Sequence, residues 1–503
     1  MYKRIFLMVI ISTKNGKIQG TQGDDFQSFL GIPYAKPPVE DLRFSEPQPL
    51  EPWSDVKKTT EFGFIAPQNI PDDPPIEQDQ NEDCLYLNIW TPEADNNSRP
   101  VMFWIHGGGY VIGAGSRPRL HGKNLSVSGD VVVVTINYRL GALGFLNFPG
   151  IPPNLGIQDQ VAALRWVKEN IQTFGGDPNN ITIFGESAGG MSVAILLAIP
   201  SSKGLFHKAI IESGNTNSRD LNMEKSKKGC AKFVLKLGIR DGNVDELRRI
   251  PFNKIMKVQK KIVGGLINLG DSPFWPFVDG EFITEQPIEI ISKGKNHQVP
   301  LIIGYNENEL GFLTEILNES GFVKKSLIMK LVSSKIKKSI NNKDKSKQLI
   351  EIYKKELKTK FPDKPLMYLA TILSDSMFKI PIVRQLEAHT KHQSDIYCYI
   401  FSYKSPKFGF AFHSFEIPFV FNTIDKEDFA KGSIENDENA KTITKKVMDT
   451  WINFARTGNP NNKNIPNWPE YELDNRYTMI LSENPEVIKT SEDILREIWN
   501  DIL

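Results

Sequence analysis

Apolar residues along the chain fall into two kinds of run. Short runs are uniformly apolar and bounded by glycine or proline, and longer ones space their apolar residues three and four apart. Val131 to Leu140, VVVVTINYRL, starts too uniformly apolar to alternate, as expected of a central parallel strand covered on both faces. Gly156 to Phe174 instead has helical spacing through Val161, Leu164, Val167 and Ile171, and Gly175-Gly176-Asp177-Pro178 stops it. Leu85 to Thr91, Val101 to Ile105, Lys208 to Ser213, Pro300 to Gly304, Ile396 to Tyr403 and Thr478 to Leu481 read as further strands, separated by helical or irregular stretches. The alternation predicts an α/β chain with a doubly wound, mostly parallel central sheet flanked by helices. A length of 503 residues suggests about three domains, but large α/β enzymes often keep one sheet and add excursions, so the expectation is a single domain over 1–503.

Before the sheet pattern begins, Lys3 and Arg4 precede a short apolar run, Ile5 to Ile11. It is too short to span a bilayer and no small-residue cleavage site follows, so a strand is expected there rather than a signal segment. Val9 to Gly20 reads as a hairpin with an Asn15-Gly16 turn. Phe29 to Trp53 and Ala66 to Asp83 are broken by proline and turn residues, and both are expected to be irregular surface loops.

Ile181 to Ala198, ITIFGESAGGMSVAILLA, is a short apolar strand, a glycine-flanked turn and an apolar helix. Gly185-Glu186-Ser187-Ala188-Gly189 fits the G-x-S-x-G nucleophile elbow, in which a strained turn lifts a serine hydroxyl above the sheet. Gly185 and Gly189 leave room for the chain that must pass close by. The strand at Val101 to Ile105 runs into His106-Gly107-Gly108-Gly109, whose amides can approach a carbonyl oxygen that becomes an oxyanion during acyl transfer. The amides of Gly108, Gly109 and Ala188 are the candidate oxyanion hole.

A serine hydroxyl needs a histidine to take its proton and an acid to orient that histidine. Of seven histidines, His413 in FHSFEIP follows a predicted strand and lies among aromatics, whereas His392 sits in the polar, solvated setting HTKHQSD. For the acid, IGYNENE puts Glu307 and Glu309 just past a strand, and spacing alone does not separate them.

Charge adds little. With 61 basic and 60 acidic side chains the net charge is +1, which gives no reason to expect nucleic acid or an anionic membrane as partner. Three cysteines cannot make a disulfide framework and favour a reducing, cytoplasmic setting, with secretion as the alternative if the N-terminal run acts as a signal. About a dozen lysines between Lys324 and Lys360 read as a solvated face, and the sequons at Asn96, Asn124, Asn180 and Asn318 as chance matches in an asparagine-rich chain. No metal-ligand cluster stands out and neither end is long enough for an anchor. The expectation is therefore no cofactor, no metal, no membrane insertion and a small-molecule ester as partner.

Taken together, FLGIPYAKPP, NEDCLYLNIW, IHGGGY, NYRLGALGF, FGGDPNNITIFGESAGG, GLFHKAIIESG, HSFEIPFVF and WINFARTGNP resemble the type-B carboxylesterase family, the cholinesterase-like branch of the α/β hydrolases, in the manner of its bacterial para-nitrobenzyl esterases. The resemblance runs almost end to end. It implies an α/β-hydrolase fold and a serine esterase acting through an acyl-enzyme, with Ser187, Glu309 and His413 as the triad. A one-residue shift of the family's acid motif leaves Glu307 as the alternative acid. It also implies supporting positions for Glu186 and Ser213 and pairing of Arg43 with Glu82 and of Arg139 with Asp159. Cys84 matches the second cysteine of a family disulfide whose first falls at Ala66, so that bridge cannot form. Cholinesterases carry a tryptophan in the same loop to attract a quaternary ammonium. Ala66 to Asp83 contains no aromatic residue, which points to neutral esters, with Phe274, Trp275 and Phe277 as candidate pocket walls or core. The alternatives are a catalytically silent adhesion or scaffold relative and a specialised lipase or hormone esterase.

Overall fold

Uniformly apolar strands require cover on both sides of the sheet, and the structure provides it. The computed structural model describes residues 7–69, 78–216, 221–239, 243–263, 272–314, 347–353, 355, 365–426, 432–490, 496 and 499. Val132, Val134 and Ile136 enter one hydrophobic core while Val131 and Val133 enter a second on the opposite face. Ile183 and Phe184 divide the same way, as do Ile303 and Ile302.

Among the described residues thirteen strands form one sheet. They are β1 (Leu7–Thr13), β2 (Gly16–Gln22), β3 (Gln27–Pro33), β4 (Lys57–Lys58), β5 (Tyr86–Thr91), β6 (Arg99–Ile105), β7 (Val132–Ile136), β8 (Gly176–Glu186), β9 (Lys208–Glu212), β10 (Leu301–Asn306), β11 (Ile396–Phe401), β12 (Tyr477–Leu481) and β13 (Glu486–Lys489). Their order is β1-β2-β3-β5-β7-β6-β8-β9-β10-β11-β12-β13, with β4 beside β2. From β7 through β12 neighbouring strands are parallel, and along that order the pairings outside this block are antiparallel. The helices Leu155–Asn170 and Ala188–Ala198 pack on one face. Glu438–Thr457 covers the other with Ile443, Val447, Trp451 and Phe454, a helical stripe. Register brings Ile105 beside Gly185, and Glu212 beside both Glu186 and Gly304, so four strand ends open onto one rim. In open parallel sheets this carboxyl edge is where ligands bind.

Several predicted boundaries move. Phe29 to Pro33 belongs to β3 rather than to an irregular loop. The strand expected over Val131 to Leu140 ends at Ile136, after which Asn137 and Arg139 turn to side-chain work in the surrounding loops. In the first hairpin Thr13 pairs with Gly16, so the turn is Lys14-Asn15, one residue earlier than expected. A Cβ at Gly16 would lie 2.5 Å from the Trp53 ring, which accounts for glycine entering the strand there. Leu7 to Ile11 is strand as expected, whereas Lys3 and Arg4, most of the Lys324 to Lys360 segment and the Asn318 sequon lie outside the described residues. The helical stretch Leu366–Thr390 is long and apolar enough to match a membrane span, with Phe378, Ile382 and Leu386 packed into the core.

Two expected ion pairs are present. Arg43 Nε donates to Glu82 Oε1 at 2.5 Å. Arg139 and Asp159 are both buried, with Nη2 to Oδ1 at 2.7 Å, Nε to Oδ2 at 2.9 Å and the Arg139 amide also on Oδ2 at 3.0 Å. Asp159 lies on the helix Leu155–Asn170 and Arg139 just beyond β7, so the pair clamps helix to sheet. Asp159→Asn strands a buried guanidinium without its counter-charge, and the expected loss is about 3–5 kcal/mol of unfolding free energy. Urea melts of the two proteins measure it, and a loss below about 1 kcal/mol would remove the pair from the fold's anchors.

Candidate active site

β8 gives way to a helix within one residue, and that residue bears the distortion. Ser187 has φ 56° and ψ −121°, outside the regions an L-residue favours. Its N–H donates to Glu212 O on β9 at 2.9 Å. A Cβ at Gly185 would lie 2.6 Å from Ile105 O, and one at Gly189 only 2.0 Å from it. The β6 backbone therefore occupies the space any side chain would need, which is why glycine flanks the serine. Ser187 is left half-buried at the helix N-terminus, where the first N–H groups have no intrahelical partner.

His106-Gly107-Gly108-Gly109 leaves the end of β6 and folds over the serine. A Cβ at Gly107 would lie 3.1 Å from Ser187 Cβ, and one at Gly108 only 2.1 Å from Ile112 O. Gly108 and Gly109 have φ 109° and 59°. The stretch is gripped from behind, with Tyr138 Oη donating to His106 O at 2.8 Å and its ring stacked on the imidazole at 4.4 Å. Burial pushes His106 down to about 4, so the ring is neutral, and its Nδ1–H donates to Gly107 O at 2.8 Å. Among the described residues, the amides of Gly108 and Gly109 donate to no backbone oxygen.

Glu309 follows β10 and is buried. Its Oε1 accepts from Ser213 Oγ at 2.6 Å and from the Asn306 amide at 2.8 Å, while Oε2 meets His413 Nδ1 at 2.7 Å. The His413 amide also donates to Glu309 O at 2.9 Å. Glu307 is exposed and accepts from Ser402 Oγ at 3.0 Å instead. His392 is exposed as well, with Nε2 on Ser292 O at 2.8 Å.

His413 has a carboxylate on each nitrogen, because Glu186 Oε1 lies 3.1 Å from Nε2. Burial opposes a charge on the ring, but Glu186 and Glu309 together outweigh it and raise His413 to about 9. Burial likewise raises the Glu186 carboxyl, against the pull of His413. No hydrogen bond joins Ser187 Oγ to His413 in this structure, and Nε2 faces Glu186 instead.

The aromatic candidates separate. Phe274 and Phe277 are core residues at 0% and 2% exposure, Phe274 packed edge-on against Phe233. Only Trp275 stays half-buried, 5.2 Å from the ring of Tyr110, the residue after Gly109. Other neighbours of the site were not found by sequence reasoning. Ser414 Oγ donates to Glu186 Oε1 at 2.6 Å. Glu212 accepts from Trp451 Nε1 at 2.7 Å, and Glu416 from Asn306 Nδ2 at 2.6 Å. Burial pushes Glu212 up to about 8 and raises Glu416 too. Their signal was a carboxylate inside the apolar runs KAIIE and FEIPFVF. Phe378, tilted against His413 at 4.8 Å, comes from a π-helical turn, Asp375–Lys379, with no comparable signal.

A strained serine between a parallel strand and its helix, on the carboxyl edge of a doubly covered sheet, defines the α/β-hydrolase fold. The Carboxylesterase family profile matches residues 8–497, and the chain belongs to that family. It is 37% identical to the para-nitrobenzyl esterase of Bacillus subtilis (strain 168), an alignment covering 97% of this chain and 98% of that protein. It is 35% identical to the liver carboxylesterase of Sus scrofa, covering 98% and 93%. Among solved structures, the carboxylesterase of Geobacillus stearothermophilus superposes with a TM-score of 0.85 at 34% identity, covering 97% of this chain and 99% of that one. The protein is a carboxylic ester hydrolase.

Glu186→Gln removes one of the two carboxylates that favour the His413 imidazolium and leaves burial, which opposes it. The His413 pKa is therefore expected to fall by about one unit or more. NMR titration of the ring protons reads this directly, and an unchanged midpoint would mean that Glu186 exerts no field on the ring.

Proposed function

We propose that Ser187 attacks the carbonyl carbon of a carboxylic ester, with His413 as its base, Glu309 as the acid that orients the base, and the amides of Gly108, Gly109 and Ala188 as the oxyanion hole. The observation that carries this reading is the grip of Glu309 on His413 through Nδ1 and the main chain, with Nε2 against Glu186, the residue next to the strained Ser187 turn. A carboxylate on Nδ1 fixes the tautomer and offsets the charge the ring acquires. His413 passes its Nε2 proton to the Glu186 carboxylate, which leaves Nε2 free to accept that of Ser187. As the Oγ–C bond forms, the carbonyl electrons move onto oxygen, where three fixed N–H dipoles meet them. The C–O bond to the alcohol then breaks and the imidazolium protonates the leaving alkoxide. Water, deprotonated by the same ring, attacks the acyl carbon, and the acyl–Oγ bond breaks as the imidazolium returns a proton to Ser187 and the acid is released. Ser213 and Glu186 support the acid and the base respectively.

Neutral esters are the substrate class we favour. The loop Ala66 to Asp83 has no aromatic face for a quaternary ammonium, while Trp275 and Phe378 offer apolar walls near the turn and near the histidine. One sheet path running from Leu7 to Lys489 supports reading 1–503 as a single catalytic domain. Three free, buried cysteines support a cytoplasmic setting.

Mixing the enzyme with a chromogenic butyryl ester is expected to release alcohol in a burst equal to the active-site concentration. Ser187→Ala is expected to abolish the burst and lower kcat by about 10⁴-fold or more. Turnover in Ser187→Ala at more than about a hundredth of the native rate would overturn the assignment.

A further inference from the structure

We propose that Gln68 is a positioning residue for the oxyanion turn, tying the chain at Ala66–Gln68 to the segment on which His106-Gly107-Gly108-Gly109 rests. The inference depends on the role proposed above for the amides of Gly108 and Gly109. Gln68 is 4% exposed, and each polar atom of its carboxamide is spent on backbone. Oε1 accepts from the Gly113 amide at 2.7 Å, while Nε2 donates to Gly113 O at 2.9 Å and to Ala66 O at 3.0 Å. The side chain thus pairs with both sides of the Gly113 residue as a neighbouring strand would.

Gly113 in turn is packed against the start of the oxyanion turn. Its φ is 120°, and a Cβ there would lie 2.3 Å from His106 Nδ1 and 2.5 Å from Gly107 O. Val111 and Ile112 amides close the intervening chain onto Gly108 O at 3.2 and 3.1 Å. A movement of the Gly113 backbone is therefore transmitted to His106, Gly107 and Gly108 through contacts with no slack. From the other side, the Gln68 amide donates to Gln80 Oε1 at 2.8 Å, and Ser116 Oγ donates to Gln78 Oε1 at 2.7 Å. Cys84 is a free thiol, so in this loop hydrogen bonds of glutamine side chains stand where a covalent bridge does not.

Among side chains of this size, only glutamine serves. Leucine has similar bulk but leaves the Gly113 amide and carbonyl unpaired in the interior. Ionised glutamate keeps the acceptor for the amide but turns a second oxygen toward Gly113 O. Both changes displace Gly113 without touching the serine, the histidine or the acid.

The test compares the full-length enzyme with Gln68→Leu and Gln68→Glu. It measures kcat and KM on a butyryl ester, and affinity for a trifluoromethyl ketone, which adds to Ser187 as a hemiketal with its oxyanion among the turn amides. Both variants are expected to lose about 10- to 100-fold in kcat with KM within about threefold of native, and to bind the ketone more weakly in proportion. If Gln68→Leu does not fold, Gln68→Glu, closer in shape, carries the same expectation. Folded variants with a lowered Tm but native kcat and ketone affinity would overturn the proposal, leaving Gln68 a purely structural tie. If instead the native enzyme forms no hemiketal, visible as a shifted ¹⁹F resonance, or Ser187→Ala binds the ketone equally well, it is the nucleophile assignment that fails.

Discussion

A residue held at φ 56° and ψ −121° without being glycine stores on the order of 1–3 kcal/mol of backbone strain, and the site is laid out around keeping that strain in place. The hydrogen bond from Ser187 N to Glu212 O fixes the turn to β9, and the close passage of Ile105 O fixes it to β6. Neither strand can shift without the other, because both are paired to β8 and buried on two faces. Sheet register thus sets where the hydroxyl stands. The His106–Gly109 turn inherits its position from the same strand ends, since Gly107 lies against Glu186 O and Ser187 Cβ.

The electrostatics follow from the same crowding. Glu186, Glu212, Glu309 and Glu416 are all buried around the strand ends, an arrangement that would be costly if all four were charged. Burial disfavours ionisation of Glu212 and Glu416, while Glu309 has a ring nitrogen, a hydroxyl and an amide to satisfy its oxygens. The carboxylate with the most donors is the one that holds Nδ1 of His413. Glu186 competes from the other side of the imidazole, which ties the availability of Nε2 to the proton balance of the whole cluster.

The parallel core of the sheet was legible because burial on both faces leaves uninterrupted apolar runs such as ITIFG, KAIIE and IYCYIF. The margins were harder to read. β3 contains glycine and proline in FLGIP, and β13 is the half-polar EVIK, so neither produces a run or a clear alternation. The elbow and the glycine turn could be read because backbone passes so close at Gly185, Gly189 and Gly108 that the sequence shows it as glycine. Glu309 and Glu307 could not be separated by spacing, since what distinguishes them is a hydrogen bond to a histidine 104 residues away. Phe274 and Phe277 stayed open between pocket wall and core because composition does not reveal which side of a ring is covered.

Sequence distance at the site has a bearing on how the chain is made. Ser414 reaches back 228 residues to Glu186, and Trp451 reaches back 239 to Glu212. Contacts of such separation close late, after the local structure on which they depend. A chain emerging from the ribosome will have its serine, its strained turn and its glycine loop long before it has a histidine to set against them. The nascent protein therefore carries Ser187 without His413 through most of its synthesis, and the two meet only as the C-terminal part of the sheet docks.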